Sequence, residues 1–146
     1  MEKISFVIIL VIFLTGLIFS QNREIDKQLF LACEKGNIKE IFRLINQGAN
    51  INTRNSFDET AMMRASLYDK TEVVRLLINT GADVNAKTSH GKTELMKASC
   101  YGRMEIVRML LAKNARVNAR ANNGETALME ASYYGNSEIV KLLLAE

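Results

Sequence analysis

Histidine is almost missing from this chain of 146 residues: there is one, His90, and it stands beside Gly91. Cysteine is scarce too, with Cys33 and Cys100 far apart and no Cys-x-x-Cys. One imidazole and two scattered thiols cannot assemble the ligand clusters of common zinc sites. No Gly-x-Gly-x-x-Gly, no Walker-type loop and no Gly-x-Ser-x-Gly occurs, which removes the usual signals for nucleotide binding and for a serine nucleophile. Carboxylates recur at Glu59, Glu94 and Glu125, but at loop or helix-start positions expected to be exposed. An acid–base pair needs a shared cleft that drives the two pKa values apart. No catalytic residue, cofactor or metal is therefore expected, and the chain reads as a non-enzyme. Charge of one sign is also lacking: 19 basic and 16 acidic residues leave a formal +3. A nucleic-acid binder would show a clustered basic face, so nucleic acid is not an expected partner.

What the chain does have is a period. Thr60-Ala61-Met62-Met63, Thr93-Glu94-Leu95-Met96 and Thr126-Ala127-Leu128-Met129 stand thirty-three residues apart. Ala65, Ala98 and Ala131 keep step with them, as do Glu72, Glu105 and Glu138, Val74, Val107 and Val140, and Asn52, Asn85 and Asn118. A fixed period in the thirties means stacked supersecondary units rather than a globule around one core. Each unit holds two apolar segments of about eight to ten residues, too short to persist as isolated helices in water. Stacked on neighbours, each can bury its apolar stripe in a continuous core.

The punctuation has local causes. Thr60, Thr93 and Thr126 precede apolar runs, where a hydroxyl can cap a helix N-terminus. The first segment breaks at Gly36, Asp69, Gly102 and Gly135, residues suited to positive φ. The second ends at Gly48, Gly81 and Asn114, and Asn is the usual stand-in for Gly in a left-handed C-cap. Glu72 and Arg75, Glu105 and Arg108, and Glu138 and Lys141 are spaced to pair on the second helix. Arg54, Lys87 and Arg120 recur at one point of successive units, a basic row that is either solvated or part of a site for an acidic protein.

Three segment types carry a family resemblance: Gly81-Ala82-Asp83-Val84-Asn85-Ala86, the Thr-x-Leu/Met-Met-x-Ala-Ser segments, and the Glu-Val/Ile-Val-x-Leu/Met-Leu segments. With them the chain resembles ankyrin-repeat proteins of a bacterial type. The resemblance implies an all-α solenoid of about four helix-turn-helix units with β-hairpin-like loops, at about 25–54, 55–87, 88–120 and 121–146, within a domain of 21–146. Two departures stand out. The family's Pro is Ala61, Glu94 or Ala127 here, and its His is Met63, Met96 or Met129, which removes a hydrogen bond usually shared with the Thr. With stacked helices roughly 8–10 Å apart, Cys33 and Cys100 lie two units apart, beyond the reach of a disulfide. Both are expected to be free thiols, with Cys33 packed at the position of Ser66, Ser99 and Ser132.

Residues 1–20 share nothing with the repeats. Ile4 through Phe19 is uncharged and strongly apolar, short for a spanning helix of about twenty residues, and preceded by Lys3 and the α-amino group. It reads as a signal peptide cleaved after Ser20, which would make the product periplasmic or secreted. The alternative is an uncleaved membrane anchor over 4–19. In either case the membrane is met only through this segment.

Residues that break the period are those stacking does not dictate. By resemblance, the end of each first helix and each loop tip face the concave side, where partners bind. All four tyrosines, Tyr68, Tyr101, Tyr133 and Tyr134, fall at the first of these, and Phe57, His90 and Asn123 at the second. Tyrosine offers large contact area with few rotatable bonds. The functional reading is an aromatic stripe that binds another protein; the plain one is that these rings cover helix ends. The chain is thus expected to be an exported, non-enzymatic protein-interaction module, with a membrane-anchored scaffold as the alternative. Unit four ends in Leu142-Leu143-Leu144 without a polar outer cap, so self-association through that face is a third expectation.

Overall fold

A computed structural model describes the backbone of residues 2–146 and the side chains of residues 7–146. Met1 and the side chains of Glu2 to Phe6, with the Lys3 charge assigned to the leader, lie outside the described residues. Eight helices and no strand occur among the rest: α1 (Glu2–Lys35), α2 (Ile38–Asn46), α3 (Ala61–Leu67), α4 (Thr71–Asn79), α5 (Glu94–Cys100), α6 (Met104–Ala112), α7 (Ala127–Tyr133) and α8 (Ser137–Leu144). The architecture is all-α, as expected, with the end of α1 and α2 forming unit one and the pairs α3–α4, α5–α6 and α7–α8 the other three.

α1 is longer than the sequence reading implied. It runs unbroken through Ser20 and through the polar stretch Arg23–Gln28 into the first helix of unit one. Nothing in its sequence stops it. No proline is present, and the polar hydroxyls turn back onto the helix, Thr15 Oγ1 donating to the carbonyl of Ile12 (2.9 Å) and Ser20 Oγ to that of Leu17 (3.0 Å). α1 is the one helix among the described residues long and apolar enough to cross a bilayer, and its apolar part packs on nothing. A signal sequence and a membrane anchor share those properties.

In the repeats, the thirty-three-residue period becomes a single core. Leu29, Cys33, Ile41 and Leu44 from unit one, Met62, Val74 and Leu77 from unit two, Leu95, Val107 and Leu110 from unit three, and Ile139 and Leu143 from unit four belong to one buried cluster. Ala65, Ala98 and Ala131 are all fully buried. The threonine caps form as expected: Thr60, Thr93 and Thr126 accept the backbone N–H of Met63 (3.2 Å), Met96 (3.3 Å) and Met129 (3.3 Å). The Met side chain partly replaces the missing imidazole, since Met96 Sδ accepts from the N–H of Thr93 at 3.4 Å. At the breaks, Asp69 (φ 58°) and Asn114 (φ 59°) adopt the left-handed backbone taken elsewhere by glycine.

Side chains in the loops tie each unit to the next. Asn52 Oδ1 accepts the backbone N–H of Asp83 (2.9 Å), and Asn85 Oδ1 accepts that of Arg116 (2.8 Å). Asp26 on α1 does the same for unit one, accepting the N–H of Asn50 at 2.7 Å. The basic row is exposed and also forms a second tie: Arg54 donates to the carbonyl of Lys87 (2.7 Å), and Lys87 Nζ to that of Arg120 (3.1 Å). On the second helices two of the three expected pairs form, Glu72–Arg75 (3.5 Å) and Glu138–Lys141 (2.8 Å). Glu105 instead pairs with Arg75 of the preceding unit, because a neighbouring helix brings that guanidinium within reach.

Asn85 and Asn118 occupy the same repeat position, yet only Asn85 bridges two units; Asn118 is exposed. Asn85→Ala is expected to lower unfolding stability by about 0.5–1.5 kcal/mol, since it removes the hydrogen bonds to the Arg116 N–H and the Asn114 carbonyl. Asn118→Ala should change it by less than about 0.5 kcal/mol. Urea unfolding of both variants, followed by circular dichroism, checks the difference, and equal effects would mean that the bridge does not hold the units together.

Candidate functional site

The concave side is built from two recurring positions. One precedes each capping threonine: Glu59, Lys92 and Glu125. The other lies mid-helix on α3, α5 and α7: Arg64, Lys97 and Glu130. The first row alternates in sign and the second runs basic, basic, acidic, so opposite charges of successive units meet and pair. Glu34 meets Arg64 Nε at 2.7 Å, Lys97 Nζ reaches Glu59 of the preceding unit at 2.6 Å, and Lys92 Nζ reaches Glu130 at 2.6 Å and Glu125 at 3.2 Å. Burial raises the pKa of Glu59, but hydrogen bonds from Lys97 and Asn55 and the charges of Lys97 and Arg64 outweigh it and hold the carboxyl below its ordinary value. The Glu130 carboxylate, chief among its neighbours, raises the pKa of Lys92. The groove floor is thus charged but internally neutralised. Comparing signs at matched positions of successive units would have revealed this network in the sequence; reading each carboxylate alone did not.

Two clefts open on that floor. The larger, about 460 Å³, is lined by Phe57, Glu59, His90, Lys97, Asn122 and Asn123, among others. The second, about 370 Å³, is lined by Glu125, Met129, Glu130, Tyr133 and Tyr134, with Lys92 in the wall of both. Of the seven residues singled out from the sequence, Phe57, His90 and Asn123 therefore come together in one cleft, and Tyr133 and Tyr134 in the next. Tyr133 and Tyr134 meet edge to face with ring centroids 5.0 Å apart. Tyr68 stands apart, its ring under the Arg64 guanidinium at 5.1 Å and its hydroxyl accepting from Arg64 at 2.8 Å. Tyr101 is the least exposed of the four tyrosines and has no aromatic partner among the described residues. The stripe is thus divided rather than continuous.

Loop tips hold the first cleft in shape. Asn122 donates from its backbone to the carbonyl of His90 (3.0 Å) and from its side chain to that of Ser89 (3.0 Å). Gly91 makes this approach possible: at φ 76°, a Cβ there would sit 2.9 Å from the backbone nitrogen of Asn122. In unit two, Asn55 Oδ1 accepts the N–H groups of Phe57 (2.9 Å) and Glu59 (3.0 Å), which fixes the Phe57 tip. Preformed tips lower the ordering cost of binding.

Glu94 is not exposed, contrary to the expectation from its helix-start position. It is fully buried where units two and three meet, because the neighbouring unit covers the start of α5. Ser66 Oγ donates to its Oε1, and Oε2 has no partner. The equivalent pairs by position are Cys33 with Ala61 and Ser99 with Ala127, so at this repeat position only Glu94 brings a carboxyl. Burial pushes its pKa from 4.5 to about 7, opposed by the Ser66 hydrogen bond and the Lys97 charge and assisted by the Glu59 charge. Cys33 is fully buried and its thiol is pushed up to about 12, the mark of a packing residue. Both cysteines are free.

The family model for ankyrin repeats matches the chain in three copies, over residues 29–121 and 90–146. The chain belongs to the ankyrin-repeat family. No curated protein matches it. Ankyrin repeats serve generally as protein–protein interaction modules, and in this ankyrin-repeat protein both clefts lie along the charges paired between units. Among the described residues, no group of three or more metal-ligating side chains converges.

The position of Glu94 predicts a pH dependence. The folded state keeps its proton up to about pH 7, while an unfolded glutamate releases it near 4.5. Its stabilising contribution is therefore complete below pH 4.5 and is lost as pH rises towards and through 7. Urea midpoints of the full-length chain in detergent should fall between pH 5 and pH 8, by up to about 3 kcal/mol in stability. Glu94→Gln, neutral at every pH, should flatten that decline. An equal decline in the variant would show that the carboxyl is not the titrating group.

Proposed function

We propose that this ankyrin-repeat protein is a non-enzymatic binding module that works outside the cytoplasm and holds a protein partner against its concave face. The observation that carries the reading is the pair of adjoining clefts sharing Lys92. They place exposed aromatic residues, Phe57 at one end and Tyr133 and Tyr134 at the other, over a floor whose charges are already paired. Aromatic anchors give contact area, while a neutralised floor adds little desolvation penalty from unpaired charge. A stable complex over such a groove buries roughly 1,200–2,000 Å² in total.

A second reading is favoured by one feature. Because α1 passes through Ser20 without a break, an uncleaved chain would carry its repeats rigidly at the bilayer as a membrane-anchored scaffold, gaining strength from avidity. Self-association is the third. Met129, Tyr133 and Leu144 are exposed in unit four, whereas Met63 and Met96, at the position of Met129, are buried by the following unit.

A photo-crosslinking residue placed at Phe57, His90 or Tyr133, and on the convex side at Arg75 or Arg108, tests the face in the native host. Adducts should form from the concave positions and not from the convex ones. Tyr101→Ala with Tyr134→Ala should lower affinity for the captured partner by about 2 kcal/mol, roughly 30-fold. The adduct mass reports the remaining point as well, a chain beginning at Gln21 for export or a full-length chain for the anchor. Adducts only from the convex side, or unchanged affinity, would remove the concave face as the site.

A further inference from the structure

Between α1 and the first loop lies a third cleft of about 430 Å³, lined by Arg23, Asp26, Lys27, Phe30, Leu31 and Arg54, among others. We propose that it receives the headgroup of an anionic phospholipid. The proposal rests on the anchored reading, in which the apolar part of α1 stays in the bilayer.

Position along the helix comes first. At a rise of 1.5 Å per residue, Arg23 and Lys27 stand about 6 and about 12 Å beyond Phe19, the last residue of the apolar run. The polar layer on each side of a bilayer is about 5–7 Å deep. Helical side chains lean towards the N-terminus of their helix, which here is the membrane side. Arg23 does so, with its guanidinium 6.0 Å from the Phe19 ring centroid. Arg23 is thus delivered to headgroup depth, with Lys27 one helical turn further out.

Charge comes second. Arg23 and Lys27 are exposed, lie one helical turn apart on one face, and form no ion pair among the described residues. Asp26, the one carboxylate lining the cleft, is engaged by the Asn50 N–H. Arg54 is held by Asp58 (3.4 Å) and by the Lys87 carbonyl, so it adds field rather than a free donor. Glu24 is turned about 100° from Arg23 and about 60° from Lys27 round the helix, and it does not line the cleft. The lining thus carries three cations, Arg23, Lys27 and Arg54, against the single carboxylate of Asp26. Phe30 and the half-exposed Leu31 wall the cleft at its end away from the bilayer. Cations at the bilayer surface attract anionic lipid, and a walled cleft holds one headgroup in place.

The test uses the full-length chain reconstituted into nanodiscs of phosphatidylcholine and phosphatidylglycerol, with retained lipids counted by native mass spectrometry. The wild type should keep phosphatidylglycerol several-fold in preference to phosphatidylcholine, and Arg23→Gln with Lys27→Gln should abolish that preference while leaving circular dichroism unchanged. Lys39→Gln with Lys113→Gln, which removes the same charge elsewhere, should retain it. Equal retention of both lipids by the wild type, preference kept by the first variant, or preference lost in both variants overturns the proposal. So does displacement of the retained lipid by inorganic phosphate, which would assign the cleft to a soluble anion. A chain that elutes without discs overturns the anchored reading and the proposal together, whereas a chain that enters the discs without lipid preference overturns the cleft alone.

Discussion

Burial between neighbours is the constraint from which everything else in this protein follows. Helices of seven to nine residues in the repeats cannot hold themselves together in water, and each exists because the next unit covers its apolar stripe. The fully buried alanines at 65, 98 and 131 let first helices approach closely, and the asparagine ties at 52 and 85 fix one loop to the next. Stability in such an array is a sum of unit terms and neighbour terms. In this chain the neighbour terms carry hydrophobic contacts, backbone hydrogen bonds and the main ion pairs of the concave face alike.

The same constraint shapes the functional surface. Since stacking claims the apolar positions, the surface proposed for recognition is the edge where Glu59, Lys92, Arg64, Lys97 and Glu130 pair within and across units. Those pairs hold the groove in one shape and present the aromatic residues at its ends. At the other end of the molecule α1 joins the first unit to an apolar helix without a hinge, so whatever holds that helix also sets the orientation of the repeats.

Much of the fold was legible because the period is strict. Thr60, Thr93 and Thr126 announced the helix starts, and Asp69 and Asn114 could be read as left-handed breaks from their place in the alignment of units. Glu94 could not be read that way. A helix-start residue is exposed on an isolated helix, and only the adjoining unit buries it. Glu105 likewise found its partner on the unit before it rather than three residues along its own helix. The tyrosines were found but not their grouping, since whether Tyr68 turns to Arg64 or to another ring depends on side-chain geometry that spacing does not carry. The apolar leader was plain, whereas its continuity with unit one was hidden by the polar run Arg23–Gln28.

Native-state hydrogen exchange on the full-length chain tests most directly whether stability resides between units. If it does, amides of α3 to α6, covered on both sides, should exchange most slowly and as one cooperative block, and those of α8, packed against α6 on one side, should exchange faster. Four units exchanging independently, each at its own rate, would contradict the account.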